Sequence, residues 1–201
     1  MTDLAPSPQP DLETTLDFIN TAELERGRPV DAFDSTRAAL DWLQGRVGID
    51  ASGVPESAAV LARVVRARAA FRELWDSVIE GRTADGAALD EMNRVLRHRS
   101  LLELRAADPD GGVAGYRLAE RTLADPVDGA LARLAEPLAL TLGSTDAIGR
   151  MRTCADDECR WVFFDGSRTH QRRWCDMASC GNRAKAARHR ARARAGDQPP
   201  D

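Results

Sequence analysis

Cys154-Ala155-Asp156-Asp157-Glu158-Cys159 and Cys175-Asp176-Met177-Ala178-Ser179-Cys180 are two identical C-x4-C pairs with fifteen residues between them. Together they contain every cysteine of the 201-residue chain. A short pair lets one turn present two sulfurs to the same ion, and the longer link brings a second turn opposite. Thiolates are the favoured ligands of structural zinc, so the spacing predicts one zinc site per chain, with Cys154, Cys159, Cys175 and Cys180 as its four ligands. Two disulfides or four unrelated thiols are the plain alternatives. A cytoplasmic setting, where thiols stay reduced, argues against the first. A chain otherwise free of cysteine argues against the second. Iron–sulfur ligation uses the same side chains and is the remaining competitor. Four protein ligands leave zinc no open position for water or substrate, so no enzymatic role is expected.

The residues around the pairs fit a small finger. Trp161-Val162-Phe163-Phe164 is a strong strand former, with Trp161 and Phe163 on one face and Val162 and Phe164 on the other. Asp165-Gly166-Ser167 then turns the chain. Trp174 precedes the third cysteine and is placed to cover the metal site. So small a core needs the metal for its stability. Gly181 follows the last cysteine, where a tight knuckle asks for positive φ, and Asn182 is placed to cap the segment after it. Residues 184–195 read as a helix of alanine and arginine, ended by Gly196.

Charge divides the chain. Residues 150–194 carry twelve basic side chains against five acidic ones, a net +7, whereas residues 1–149 carry sixteen against twenty-five, a net −9. Arginine outnumbers lysine 27 to 1, so the local excess over acids is more informative than any single arginine. A basic C-terminal module on an acidic body suggests a negatively charged partner at that end. The whole chain is 43% hydrophobic and 30% charged, as in soluble globular proteins. No apolar run approaches the ~20 residues needed to span a bilayer. The polar, Pro-rich start does not read as a secretory signal. The expected location is therefore the cytoplasm, with no membrane partner.

Upstream of the finger, apolar residues recur at helical spacing. Residues 12–21 form a first helix. Ser35 caps a short one carrying Ala39, Leu40 and Leu43, with Trp42 at its buried edge. Pro55 and Glu56 open the longest helix, with Leu61, Val64, Val65, Phe71, Leu74, Trp75, Val78 and Ile79 on a wide apolar face and Gly81 at its end. Asp85 caps another helix, with Leu89, Met92, Val95 and Leu96 inward. Residues 100–107 and 113–119 flank Asp108-Pro109-Asp110-Gly111-Gly112 and read as a hairpin. Residues 128–142 return to helix, kinked or restarted by Pro137. The fold class is mainly α: a helical N-terminal domain with one β-hairpin, then a small four-cysteine zinc finger with a basic C-terminal helix. The expected organisation is a disordered leader (1–11), a helical domain (12–149), the finger (150–195) and a disordered tail (196–201).

The stretch Trp174-Cys175-Asp176-Met177-Ala178-Ser179-Cys180-Gly181-Asn182-Arg183-Ala184-Lys185 resembles the signature of the bacterial CGNR zinc finger family, and Cys154 to Ser167 is similar to the rest of that module. Asp17-Phe18-Ile19-Asn20-Thr21, Trp42-Leu43 and the segment from Arg66 to Trp75 resemble the ABATE domain that usually precedes this finger. The resemblance covers nearly the whole chain. It implies a stress-linked transcription regulator whose finger binds DNA.

Three readings of function follow. In the first, double-stranded DNA lies against the finger. Arg168, Arg172 and Arg173 in the loop between the pairs and Lys185, Arg188, Arg190 and Arg192 on the last helix would contact phosphates. Asn182 and Arg183 at the helix start are the nearest candidates to read bases. Arg183 has a second role open to it, pairing with Asp165 or Asp176 to brace the knuckle. In the second reading the finger docks a protein partner or a homodimer mate, using acidic residues 156–158 and exposed tryptophans. In the third, the helical domain senses a small-molecule effector through Asn20, Thr21 and Arg68. The plain alternative is that Asn20 and Thr21 satisfy backbone groups at a helix end.

Overall fold

The computed structural model describes residues 10–106, 116–121 and 125–196. The expected hairpin turn at 108–112 lies outside these residues, as do most of the expected leader and tail. Side chains set most helix starts. Asp11 caps α1 (Leu12–Asn20), Ser35 caps α2 (Thr36–Val47) and Asp85 caps α4 (Gly86–Leu96), each accepting a first-turn N–H. The long helix α3 (Ala58–Ile79) begins at Ser57, whose hydroxyl accepts from the Val60 N–H, later than Pro55 and Glu56 suggested. It ends at Gly81, where φ is +65° and the Arg82 N–H reaches back to the Ser77 carbonyl at 2.9 Å. Helix α5 (Pro126–Leu142) starts on Asp125, with Pro126 in its first turn, and continues through Pro137 without restarting. Short helix α6 (Thr145–Ile148) leads to the finger.

Helix α3 lies between α1, α2, α4 and α5. Its Val64, Phe71 and Trp75 are fully buried with Phe18, Ile19, Leu43, Val95, Leu131, Leu134 and Leu138. Burying each such side chain contributes roughly 1.5–3 kcal/mol. Phe18 meets Phe33, Trp42 and Phe71 at centroid distances of 6.0, 5.5 and 5.8 Å, which places Trp42 at the core edge as expected. Leu89 does not point inward: it is 52% exposed. Met92 and Val95 are buried as expected and Leu96 packs on the core, with Ala88 and Glu91 buried beside them in place of Leu89.

Antiparallel strands β3 (Leu101–Ala106) and β4 (Tyr116–Arg121) form the expected hairpin, with Ala106 opposite Tyr116 and Leu101 opposite Arg121. The return strand runs on to Arg121, past the expected end at 119, and the expected 113–115 lie outside the described residues. A further hairpin, β1 (Ala22–Glu25) with β2 (Arg28–Asp31), turns at Arg26 and Gly27, both at positive φ. No apolar alternation announces it, since β2 is exposed throughout. In the finger, β5 (Met151–Thr153) pairs antiparallel with β6 (Val162–Phe164). No helix among the described residues is long and apolar enough to cross a membrane.

Strand β6 joins the two regions. Its alternation is the expected one, and its two faces enter different cores. Val162, 1% exposed, joins Met151 in the helical core with Phe164 packed beside them, whereas Phe163 and the adjoining Trp161 pack on the cysteines. The Trp75 indole N–H donates to the Arg152 carbonyl at 3.2 Å. The core of the helical region thus extends into the finger instead of standing apart from it.

Candidate metal centre and basic helix

Each cysteine pair is shaped by an aspartate. In the first, the Asp156 carbonyl accepts the N–H groups of Cys159 and Arg160, and its carboxylate accepts the Glu158 N–H at 3.1 Å. Arg160 takes positive φ, 58°. In the second, the Asp176 carboxylate accepts the Ser179 N–H at 2.7 Å, and the Asp176 carbonyl accepts the Gly181 N–H. This closes a wide π-turn over Met177–Gly181 that carries Cys180. The knuckle residue with positive φ is thus Arg160 and not Gly181. A Cβ at 181 would sit 2.4 Å from the Met177 sulfur, so a larger residue there would displace the exposed Met177 side chain.

The four Sγ atoms lie within 4.8 Å of one another, with Cys175 3.6 Å from both Cys159 and Cys180. At that spacing no two sulfurs are bonded, and all four cysteines are free. Zinc at ~2.3 Å from each sulfur of a tetrahedron implies sulfur–sulfur edges of ~3.8 Å, so the cage fits one ion. An iron–sulfur cluster places several irons and sulfides between the thiolates and needs a wider cage. Cys154, Cys159 and Cys180 are buried and Cys175 half-buried, under Trp161, Phe163 and Trp174. The tryptophans therefore cover the sulfurs. Burial pushes the Cys159 thiol up to about 12. It pushes Cys175 further, helped by the adjacent sulfurs. Holding such crowded, buried thiols deprotonated would take a cation among them, so the pocket suits a metal ion.

The loop between the pairs is fixed by Asp165, which is fully buried and accepts the N–H groups of Ser167 at 3.0 Å and Arg172 at 2.8 Å. Burial alone would raise its carboxyl, but these hydrogen bonds hold it at about 2. Arg172 lies 4.8 Å over the Phe163 ring and donates to the carbonyls of Trp174 and Cys175. Arg173 lies 5.2 Å over Trp174. Arg183 donates to Asp156 at 2.8 and 2.7 Å and to the Cys180 sulfur at 3.0 Å. It braces the knuckle as the sequence allowed, but through Asp156, not Asp165 or Asp176. The Asn182 amide donates to the Ala178 carbonyl at 3.0 Å, tying the helix start to the π-turn.

Helix α7 (Asn182–Gly196) packs chiefly against that π-turn. Lys185, Arg188, Arg190 and Arg192 are exposed along it, and Arg168 is exposed on the loop. None of the five has an ion-pair partner among the described residues. Positions 185, 188 and 192 share one helix face, and 190 falls on the other side.

The three effector candidates are bonded within the protein. The Asn20 amide donates to the Val162 carbonyl and accepts its N–H, both at 2.9 Å. Thr21 donates to the Phe18 carbonyl at 2.7 Å, the helix-end role the plain alternative gave it. Arg68, 4% exposed, grips the Asp31 carboxylate at 2.7 and 2.5 Å and donates to Thr21 at 2.9 Å. None of the three lines the neighbouring groove of about 410 Å³, whose walls include Leu24, Val30, Asp31, Arg72, Asp76 and Arg160.

A family model described as "Putative stress-induced transcription regulator" (ABATE) matches residues 12–145, and one described as "CGNR zinc finger" matches residues 150–193. No curated protein matches the chain.

Proposed function

This chain belongs to the ABATE family and carries a CGNR zinc finger, and from that premise we propose that it is a transcription regulator whose zinc-ordered finger holds α7 against the phosphates of double-stranded DNA. Cys154, Cys159, Cys175 and Cys180 bind one structural zinc ion. The observation that carries the DNA reading is the set of five exposed cations without ion-pair partners at Arg168, Lys185, Arg188, Arg190 and Arg192. The four on α7 follow directly on the π-turn that carries Cys180, and Arg168 lies on the loop between the pairs. Such groups displace condensed counterions and bind with steep salt dependence.

The same bonds redistribute the roles expected along the sequence. Arg172 and Arg183 are engaged within the finger and act as braces, and Asn182 anchors the helix start. Base reading at the helix start thereby loses support, and binding that is largely independent of sequence gains it. The docking alternative relied on exposed tryptophans, and Trp161 and Trp174 are half-buried against the sulfurs.

The test has two parts. Protein purified without added metal should contain about one equivalent of zinc. Its affinity for a fluorescent duplex should then fall steeply and log-linearly with salt. A zinc-loaded chain that ignores DNA at low ionic strength defeats the DNA reading and leaves the metal centre standing. Capture of a protein partner or self-association would then support docking.

A further inference from the structure

Strand β6 has a neighbour on one side only. The carbonyl of Trp161, just before it, accepts the Cys154 N–H at 2.7 Å, toward β5. The next peptide groups, the N–H and C=O of Val162, face away from β5, because hydrogen-bonding direction alternates along a strand. Both are buried, and a buried edge without partners is costly. Asn20, 142 residues earlier at the end of α1, supplies both partners from one side chain at 2.9 Å each. Its carboxamide has the donor and acceptor of a peptide group and substitutes for a third strand one residue long. Asn20 is itself 5% exposed, with no freedom to choose other partners.

We infer that Asn20 is a positioning residue of the metal centre: by holding both backbone groups of Val162 it fixes the strand that brings Trp161 and Phe163 onto the sulfurs and seats the first cysteine pair. The inference rests on the zinc reading of the four cysteines. Three links converge on the same place. The Cys154 N–H bonds the residue before Val162. The Glu23 carboxylate, just after α1, accepts the Trp161 indole N–H. The Gly27 N–H of the β1–β2 turn bonds the Glu158 carbonyl at 3.2 Å, one residue before Cys159. Helix α1 and the hairpin after it therefore grip the first cysteine pair from outside the finger. Coupling of this kind is reciprocal: if α1 sets the affinity for zinc, zinc sets the stability of the end of α1.

Asn20→Ala leaves the Val162 N–H and C=O without partners, and Asn20→Asp sets a carboxylate against the Val162 carbonyl. In the full chain, competition between protein and a chromogenic chelator measures zinc affinity directly. Both variants should bind zinc about tenfold or more weakly than wild type, with unchanged helical circular dichroism and an unchanged tetrathiolate spectrum when cobalt replaces zinc. A folded Asn20→Ala protein with wild-type zinc affinity overturns the inference. If neither variant folds, hydrogen exchange on the wild-type chain decides. Removing zinc should expose the Val162 amide and the last turn of α1 to exchange, and retained protection there overturns it. A wild-type chain that takes up no zinc defeats the metal reading itself, which is a separate outcome.

Discussion

Arg183 grips Asp156, 27 residues before it, with donor–acceptor distances of 2.8 and 2.7 Å, and places the same guanidinium 3.0 Å from the Cys180 sulfur. One side chain thereby ties the first cysteine turn to the second and to the start of the basic helix. The pair is partly exposed, with 43% of the Arg183 side chain accessible, so its direct worth is modest, ~0.2–1 kcal/mol.

Arg183→Ala should therefore release zinc roughly two- to fivefold faster, as expected when a brace of this strength behind the metal ligands is removed. Arg183→Lys should behave almost as badly, because an ammonium cannot match the planar fork. The release rate to a chelator checks this. Its DNA affinity, measured with zinc saturating, should change little. A large selective drop for one DNA sequence would instead make Arg183 a base reader.

Cys175→Ser should abolish zinc retention and also lower the stability of the helical region. Met151 and Val162 are inserted in the helical core, and withdrawing them opens space that costs on the order of 2 kcal/mol or more. Thermal unfolding followed at 222 nm should move down by several degrees. An unshifted transition would mean that the helices close over the gap unaided.

Lys185→Ala, Arg188→Ala and Arg192→Ala combined should weaken binding to all duplexes about equally. The slope of log affinity against log salt should fall by about 0.9 for each phosphate no longer neutralised. Alanine preserves the helix, so the weakening reports charge. Arg190→Ala, on the other side of α7, tests whether both sides of the helix face phosphate.

Glu73 provides a pH signature in the helical region. Arg82 grips its carboxylate and the Asp85 N–H donates to it, holding it at about 2 against an ordinary 4.5. A carboxyl lowered on folding stabilises the protein above its unfolded value and loses that contribution as pH falls through the folded one. Glu73→Gln should thus melt below wild type at neutral pH. The gap should close between pH 4.5 and about 2. High salt should shrink it at neutral pH, because the pair is solvent-accessible.

Much of this was legible along the chain because the signals are local. The cysteine spacing led to the sulfur cage, and the alternation at 161–164 told which side chains would leave the cage. Ser35 and Asp85 announced their helices because a cap acts within one turn. Leu89 misled because the edge of a helix's buried face is set by the neighbours that α4 packs on, not by apolar content alone. The β1–β2 hairpin was silent because its strand residues are largely exposed and carry no alternation. The basic character of α7 was plain, but which cations remain accessible was not.

The sequence by itself determined the four cysteines that cluster, the helical class and the charge split, since each is written in residue type and short-range spacing. Only the tertiary structure decided that Asn20 completes a strand 142 residues away, that Arg183 answers to Asp156, and that Val162 belongs to the helical core while its neighbours belong to the sulfurs. A hydrogen bond between distant segments imposes no period on either of them, so the chain must fold before such partners can be identified.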